Sequence, residues 1–169
     1  MSRIGGALAI AALLCTAAPA DERAPLLDLP VRHGRDPAAP LGAVLHGAPA
    51  VVTFWATYCP PCRAEVPVLQ RAARRWRPGG VRVVGIVVDL DDPERVERAA
   101  REWGIDYENY WVPADEHERV ARLAPAGLPV TFFVGPDGVA RYDRLLSDAD
   151  LESLVPHHLH VRPSGEAVR

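Results

Sequence analysis

Lysine is absent from this chain of 169 residues: all 19 basic residues are arginine, set against 22 acidic ones for a net charge of −3. We read the all-arginine usage as compositional bias without functional content. No basic run exceeds the pair Arg74–Arg75, so the electrostatic footprint of a nucleic-acid binder is missing. Cysteine is scarce, with only Cys15, Cys59 and Cys62. Three thiols fall short of the four ligands of a closed thiolate zinc site, and no histidine stands at a zinc-knuckle spacing from them. No internal repeat is present, which excludes a solenoid, and the length suits one domain with its own core.

No apolar run is long enough to span a bilayer comfortably. The longest, Ile4 to Cys15, follows a single early charge at Arg3 and leads to Ala18-Pro19-Ala20 before the charged Asp21-Glu22-Arg23. This is the pattern of a secretory signal over residues 1–20, cleaved after Ala20, with an uncleaved membrane anchor as the alternative. Leu14 is bulky where a lipoprotein signal at Cys15 wants a small residue. With residues 1–20 removed, Cys59 and Cys62 are the only cysteines, in an oxidising compartment outside the cytoplasm.

Residues 21–48 are rich in Pro, Gly and Ala and have little periodicity; Leu26 to Val31 reads as a short edge strand. Ala50 to Ala56 is a buried strand of β-formers. A helix follows from Pro60, with apolar residues at Cys62, Val66, Leu69, Ala73 and Trp76, a kink expected at Pro67, and Gly79-Gly80 as its stop. Val81 to Leu90 is apolar enough for a central strand buried on both faces, which points to a parallel sheet. Asp92 caps the next helix, with Pro93 in its first turn; the run Asp89-Leu90-Asp91-Asp92 belongs to this start and lacks the ligand spacing of a calcium loop. Tyr107 to Val112 is a short strand. Asp115 and Glu118 form a capping box for a helix to Leu123. Gly135-Pro136-Asp137-Gly138 joins Val130–Val134 to Val139–Asp143 as a hairpin. Ser147 with Asp150 starts a last helix to about Val155, and 156–169 is a frayed tail. Helices alternating with strands predict a three-layer α/β/α sandwich with a mixed central sheet.

The chemistry lies in the segment Trp55 to Pro67, where Cys59 and Cys62 bracket Pro60-Pro61. Cys59 falls at a helix N-terminus, where free N–H groups and the macrodipole favour an anion, and cysteines so placed have depressed pKa values. Cys62 lies one turn on, close enough to close a disulfide. A four-residue ring removes little chain entropy, so a purely structural bridge is the weaker reading. Two soft thiolates also suit copper(I), which stays as an alternative. The histidines His157, His158 and His160 form a short tract without the fixed ligand geometry of a metal site.

The segment Phe54 to Pro67 resembles the TlpA/ResA-like thiol-disulfide oxidoreductases of the thioredoxin superfamily. Three parts carry the resemblance: W-A-x-x-C-x-x-C at 55–62, Pro67 five residues past Cys62, and Gly127 to Gly138, "GLPVTFFVGPDG". It covers roughly residues 50–155 and implies a thioredoxin fold over 49–156, with 157–169 as tail. It further implies Cys59 as attacking thiolate, Cys62 as resolving thiol, and Glu65 as an acid that tunes the pair. Pro129 matches the family's cis-proline, and Tyr58, Pro60, Pro61, Leu128 and Pro129 are the expected substrate-binding residues. Trp55 is expected to pack beneath the site. One departure stands out: the buried Asp that thioredoxins carry six residues before the first cysteine is here Thr53.

The resemblance implies a periplasmic or otherwise extracytoplasmic, monomeric reductant of protein disulfides. It would be recharged by a membrane electron donor, serve cytochrome c maturation or copper-site assembly, and associate transiently with the membrane through its N-terminus, unless the uncleaved segment anchors it there. No cofactor beyond the Cys59–Cys62 disulfide, no resident metal and no nucleic acid are expected. The competing function is a copper(I) chaperone using the same thiols. A peroxidase ranks last: Arg63 is near, but no matching threonine loop exists.

Overall fold

A computed structural model describes residues 22–89 and 93–162. The proposed signal segment 1–20, Asp92 and the final residues 163–169 lie outside the described residues. The elements run in chain order as α1 (Arg23–Leu27), β1 (Pro30–Val31), β2 (Ala39–Pro40), α2 (Leu41–Leu45), β3 (Ala50–Trp55), α3 (Pro60–Trp76), β4 (Arg82–Val87), α4 (Pro93–Trp103), β5 (Glu108–Trp111), α5 (His117–Leu123), β6 (Val130–Gly135), β7 (Gly138–Tyr142) and α6 (Asp148–Leu159).

β3 and β6 are buried at every residue and β4 nearly so, the signature of strands covered on both faces. The sheet order is β5-β4-β3-β6-β7. β3 pairs in parallel with β4, and β4 with β5; β6 runs antiparallel to both β3 and β7. The parallel part places the C-terminal ends of β3, β4 and β5 at one end of the sheet, where ligand sites of open α/β sheets lie. Leu69, Ala73 and Trp76 of α3 pack with Leu151, Val155 and Leu159 of α6 and with Val51 and Phe133 from the sheet. A second cluster joins Leu26, Leu41 and Leu45 of the N-terminal segment to Val120 and Leu123 of α5 and to Phe54 and Phe132. These are the two cores of a three-layer α/β/α sandwich.

Four local expectations need correction. The N-terminal extension 21–48, read as aperiodic apart from an edge strand, contributes Leu26, Leu29, Val31, Leu41 and Leu45 to the core, and only Pro30–Val31 of the expected edge strand is extended, because Leu26 enters the core from a helical turn. The Asp115–Glu118 capping box does not form. A 3-10 turn over Ala114–Glu116 takes up Asp115, and α5 begins at His117 without a side-chain cap; Glu116 pairs instead with Arg119 at 3.4 Å. The last helix does not stop at Val155. It continues through Pro156 to Leu159, since Leu159 completes the buried spacing of Leu151 and Val155. The tract after 156 is therefore not frayed at its start, and His158 bonds the Tyr142 hydroxyl at 2.8 Å. The Ser147–Asp150 capping box, by contrast, is fully formed. No described helix is long and apolar enough to cross a membrane.

Candidate active site

The end of β3 turns into α3 within four residues. The amide of Cys59 donates to Ala56 O at 3.1 Å, closing the turn. Cys59 is the N-cap of α3, in an extended conformation, with Pro60 and Pro61 opening the helix; the first turn needs no intrahelical N–H, so two prolines cost nothing there. The amide of Cys62 donates to Cys59 Sγ at 3.2 Å. The two sulfurs are bonded at 1.99 Å, with the Cα atoms 5.3 Å apart. The helix N-terminus thus directs an N–H and its dipole at the sulfur of Cys59, the arrangement that stabilises a thiolate once the bond is opened.

Cys59 and Cys62 are 6% and 3% exposed, whereas Tyr58 is 64% exposed and Pro60 and Pro61 are also at the surface. The Leu128–Pro129 peptide bond is cis. Val130 pairs with Phe54 near the C-terminal end of β3 and shares an apolar cluster with both cysteines, with Leu128 packed against it, so the loop around Pro129 lies at the same end of the sheet as the disulfide. Tyr58 and Leu128 both line a groove of about 350 Å³, together with Val88, His117, Val120 and Ala124. Of the expected site residues, Tyr58 and Leu128 thus share one groove, and Cys59 follows Tyr58 directly in the chain. The signal that the wall would come from α5 is not local in the sequence.

Glu65 lies one turn beyond Cys62 and is 1% exposed. Its Oε1 accepts the Leu146 amide at 2.6 Å, while Oε2 has no partner among the described residues. Burial raises its pKa to about 7, against the opposing pull of the Leu146 bond and the Arg144 charge. The same carboxylate helps burial push the Tyr107 hydroxyl upward. At the position of the missing aspartate, Thr53 receives the Thr131 hydroxyl at 3.3 Å from the neighbouring strand.

Trp55 is buried beneath the turn. Its indole N–H donates to Asn109 Oδ1 at 2.9 Å, and its ring stands 5.3 Å from that of Trp103. Arg63 lies over the Trp103 ring at 6.0 Å. Among the described residues no group of three or more His, Cys, Asp or Glu side chains is placed to hold a metal ion.

The family model described as AhpC/TSA matches residues 21–143. The thiol:disulfide interchange protein DsbE of Allochromatium vinosum is 33% identical over 151 residues, covering 84% of this chain and 81% of that protein. The thiol-disulfide oxidoreductase ResA of Oceanobacillus iheyensis is 34% identical over 96 residues, covering 56% of this chain; the match spans about half, 47%, of ResA itself. A crystal structure of a secreted Mycobacterium tuberculosis disulfide oxidoreductase, described as homologous to E. coli DsbE, superposes with a TM-score of 0.63 at 25% identity, over 78% of this chain and 96% of that one.

Proposed function

The chain belongs to the AhpC/TSA family, and on that premise we propose that it is an extracytoplasmic thiol-disulfide oxidoreductase that reduces protein disulfides. The observation that carries the reading is the Cys59–Cys62 disulfide at the N-terminus of α3, with Cys59 as the helix cap. Relatives named ResA and DsbE support it, as does the signal pattern in residues 1–20.

In the reduced protein the Cys59 thiolate attacks one sulfur of a substrate disulfide. That S–S bond breaks, a mixed disulfide forms, and the other substrate sulfur leaves as a thiolate that takes up a proton. Cys62 then loses its proton, attacks Cys59 Sγ, and releases the second substrate thiol. Two electrons pass to the substrate and the Cys59–Cys62 bond is restored; a membrane-bound dithiol donor recharges it. Glu65, one turn from Cys62 and with an affinity for protons centred near neutrality, takes the role of acceptor for the Cys62 proton. Tyr58, Pro60, Pro61, Leu128 and Pro129 form the surface on which the substrate chain lies. Disulfides of cytochrome c precursors or of copper-site proteins are the substrates we favour.

Reduction of insulin by the pre-reduced protein, followed as turbidity, tests this reading. Absence of exchange together with stoichiometric copper(I) capture by the two thiols would replace it with the chaperone role.

Glu65 also makes a prediction for stability. Its folded pKa near 7 stands above the ordinary 4.5, so between these pH values the folded chain holds a proton that the unfolded chain has released. Stability from this group therefore falls as pH rises through that window, by roughly 3 kcal/mol in total. In Glu65→Gln the fall is removed. Urea unfolding of the oxidised proteins at pH 5 and pH 8 should show the variant gaining on the parent by about 2–3 kcal/mol at the higher pH; equal pH dependence in both would mean that the carboxylate ionises normally.

A further inference from the structure

We propose that Asp89 is a positioning residue for Cys59, tying down the turn from which the thiolate attacks. The backbone ladder between β3 and β4 ends where the Val88 amide donates to Trp55 O at 3.1 Å. Beyond that rung the two chains diverge, β3 into the Ala56–Cys59 turn and β4 toward α4. The pairing is nevertheless extended once more by a side chain: the Thr57 amide donates to Asp89 Oδ2 at 2.7 Å. An ionised acceptor makes this bond stronger than the backbone bonds it continues.

The location gives the bond its leverage. Thr57 is the second residue of the turn closed by the Cys59 amide on Ala56 O, so fixing its amide fixes the direction in which Tyr58 and Cys59 leave the sheet. The Thr57 hydroxyl has no partner among the described residues; the tie is made through the backbone. Val88, the residue before Asp89, lines the same groove as Tyr58 and Leu128. A single two-residue segment at the end of β4 therefore sets both the attacking turn and one wall beside it. Asp89 lies four residues before the first residue of α4, outside the reach of an N-cap.

Asp89 contributes an acceptor and a negative charge, and the two are separable. The charge stands at the same end of the sheet as Cys59 and opposes the thiolate that the helix N-terminus favours. Asp89→Asn keeps an acceptor oxygen and removes the charge; Asp89→Ala removes both.

The inference rests on the thiol-disulfide reading, and the experiment separates the two. The second-order rate of mixed-disulfide formation is measured for the reduced full chain with a peptide disulfide, together with the redox equilibrium against glutathione. The alanine variant should react about tenfold more slowly, a modest share of what a bond to an ionised acceptor supports, while the asparagine variant stays within about threefold of the parent. The asparagine variant should also shift the equilibrium toward the dithiol, because the reduced thiolate is relieved of a like charge. A structural role alone would leave that equilibrium in place. An alanine variant as fast as the parent, or an asparagine variant as slow as the alanine one, overturns the inference. Should the alanine variant fail to fold, the asparagine variant decides: a parental rate with a shifted equilibrium supports the tie, and a tenfold loss or an unshifted equilibrium overturns it. A parent chain without exchange activity would instead sink the underlying reading.

Discussion

Cys59→Ser removes disulfide reduction, with a loss on the order of a thousandfold or more in the insulin assay. A serine hydroxyl at this N-cap is not ionised at neutral pH and cannot enter a disulfide, so neither the helix dipole nor the Cys62 amide has an anion to stabilise. Cys62, 3% exposed behind it, has no comparable route to a substrate sulfur. The companion change, Cys62→Ser, leaves the first step intact and removes the second. It should trap the substrate on Cys59 as a stable mixed disulfide, visible as a mass increase that dithiothreitol reverses. Turnover by the Cys59→Ser protein at a substantial fraction of the parental rate would remove Cys59 from the chemistry altogether.

Gly135→Ala should be the most damaging single methyl group in the described chain. A Cβ on Gly135 would sit 2.0 Å from His158 O and 3.1 Å from its carbonyl carbon. The obstacle is backbone in the last turn of α6, held in place by Leu159 beneath it, so no side chain can rotate away. Either β6 or the end of α6 must move, and both carry buried apolar contacts. Forced overpacking costs about 1–3 kcal/mol, and a backbone obstacle puts this case toward the upper end. Urea denaturation should show a lower midpoint with an unchanged slope, while the protein that remains folded keeps its disulfide exchange, because the contact lies at the end of β6 away from Val130 and the cysteines. A change below about 0.5 kcal/mol would show that α6 does not seat on Gly135.

These predictions also mark how far the residues could be read in advance. The cysteine pair was legible because its geometry is local: a strand of β-formers, a helix start and a two-residue gap fix where the sulfurs lie. The Ser147–Asp150 box was legible for the same reason. The Asp115–Glu118 box had the same spacing and failed, because the chain after Pro113 tightens into a 3-10 turn first. What the sequence could not reveal depends on residues far apart along the chain. Glu65 could be placed one turn from Cys62, but not its burial, which raises its proton affinity, nor the opposing bond from the Leu146 amide, 81 positions later. Asp89 reads as part of a helix start until its carboxylate is found on Thr57, 32 positions earlier. The partnership of Trp55 with Asn109, and the use of α5 as a groove wall, have no local signature either. The N-terminal segment hid its core residues because Leu26, Leu41 and Leu45 belong to two five-residue helices, too short for a periodic pattern, and Leu29 lies in the link after the first.

The short bridge between Arg32 and Trp111, with bonds of 2.9 and 2.8 Å in both directions, has a consequence for how this molecule meets copies of itself. It occupies the outward backbone groups at the end of β5 and stops another chain from zipping onto that flank of the sheet. Among the described residues the other outer strand of the sheet is β7, and there Arg141 is paired with Glu22 and Asp143. Fixed charge along an outer strand discourages templated stacking, so a concentrated solution of the oxidised protein should resist fibril-like association even though its sheet is not closed.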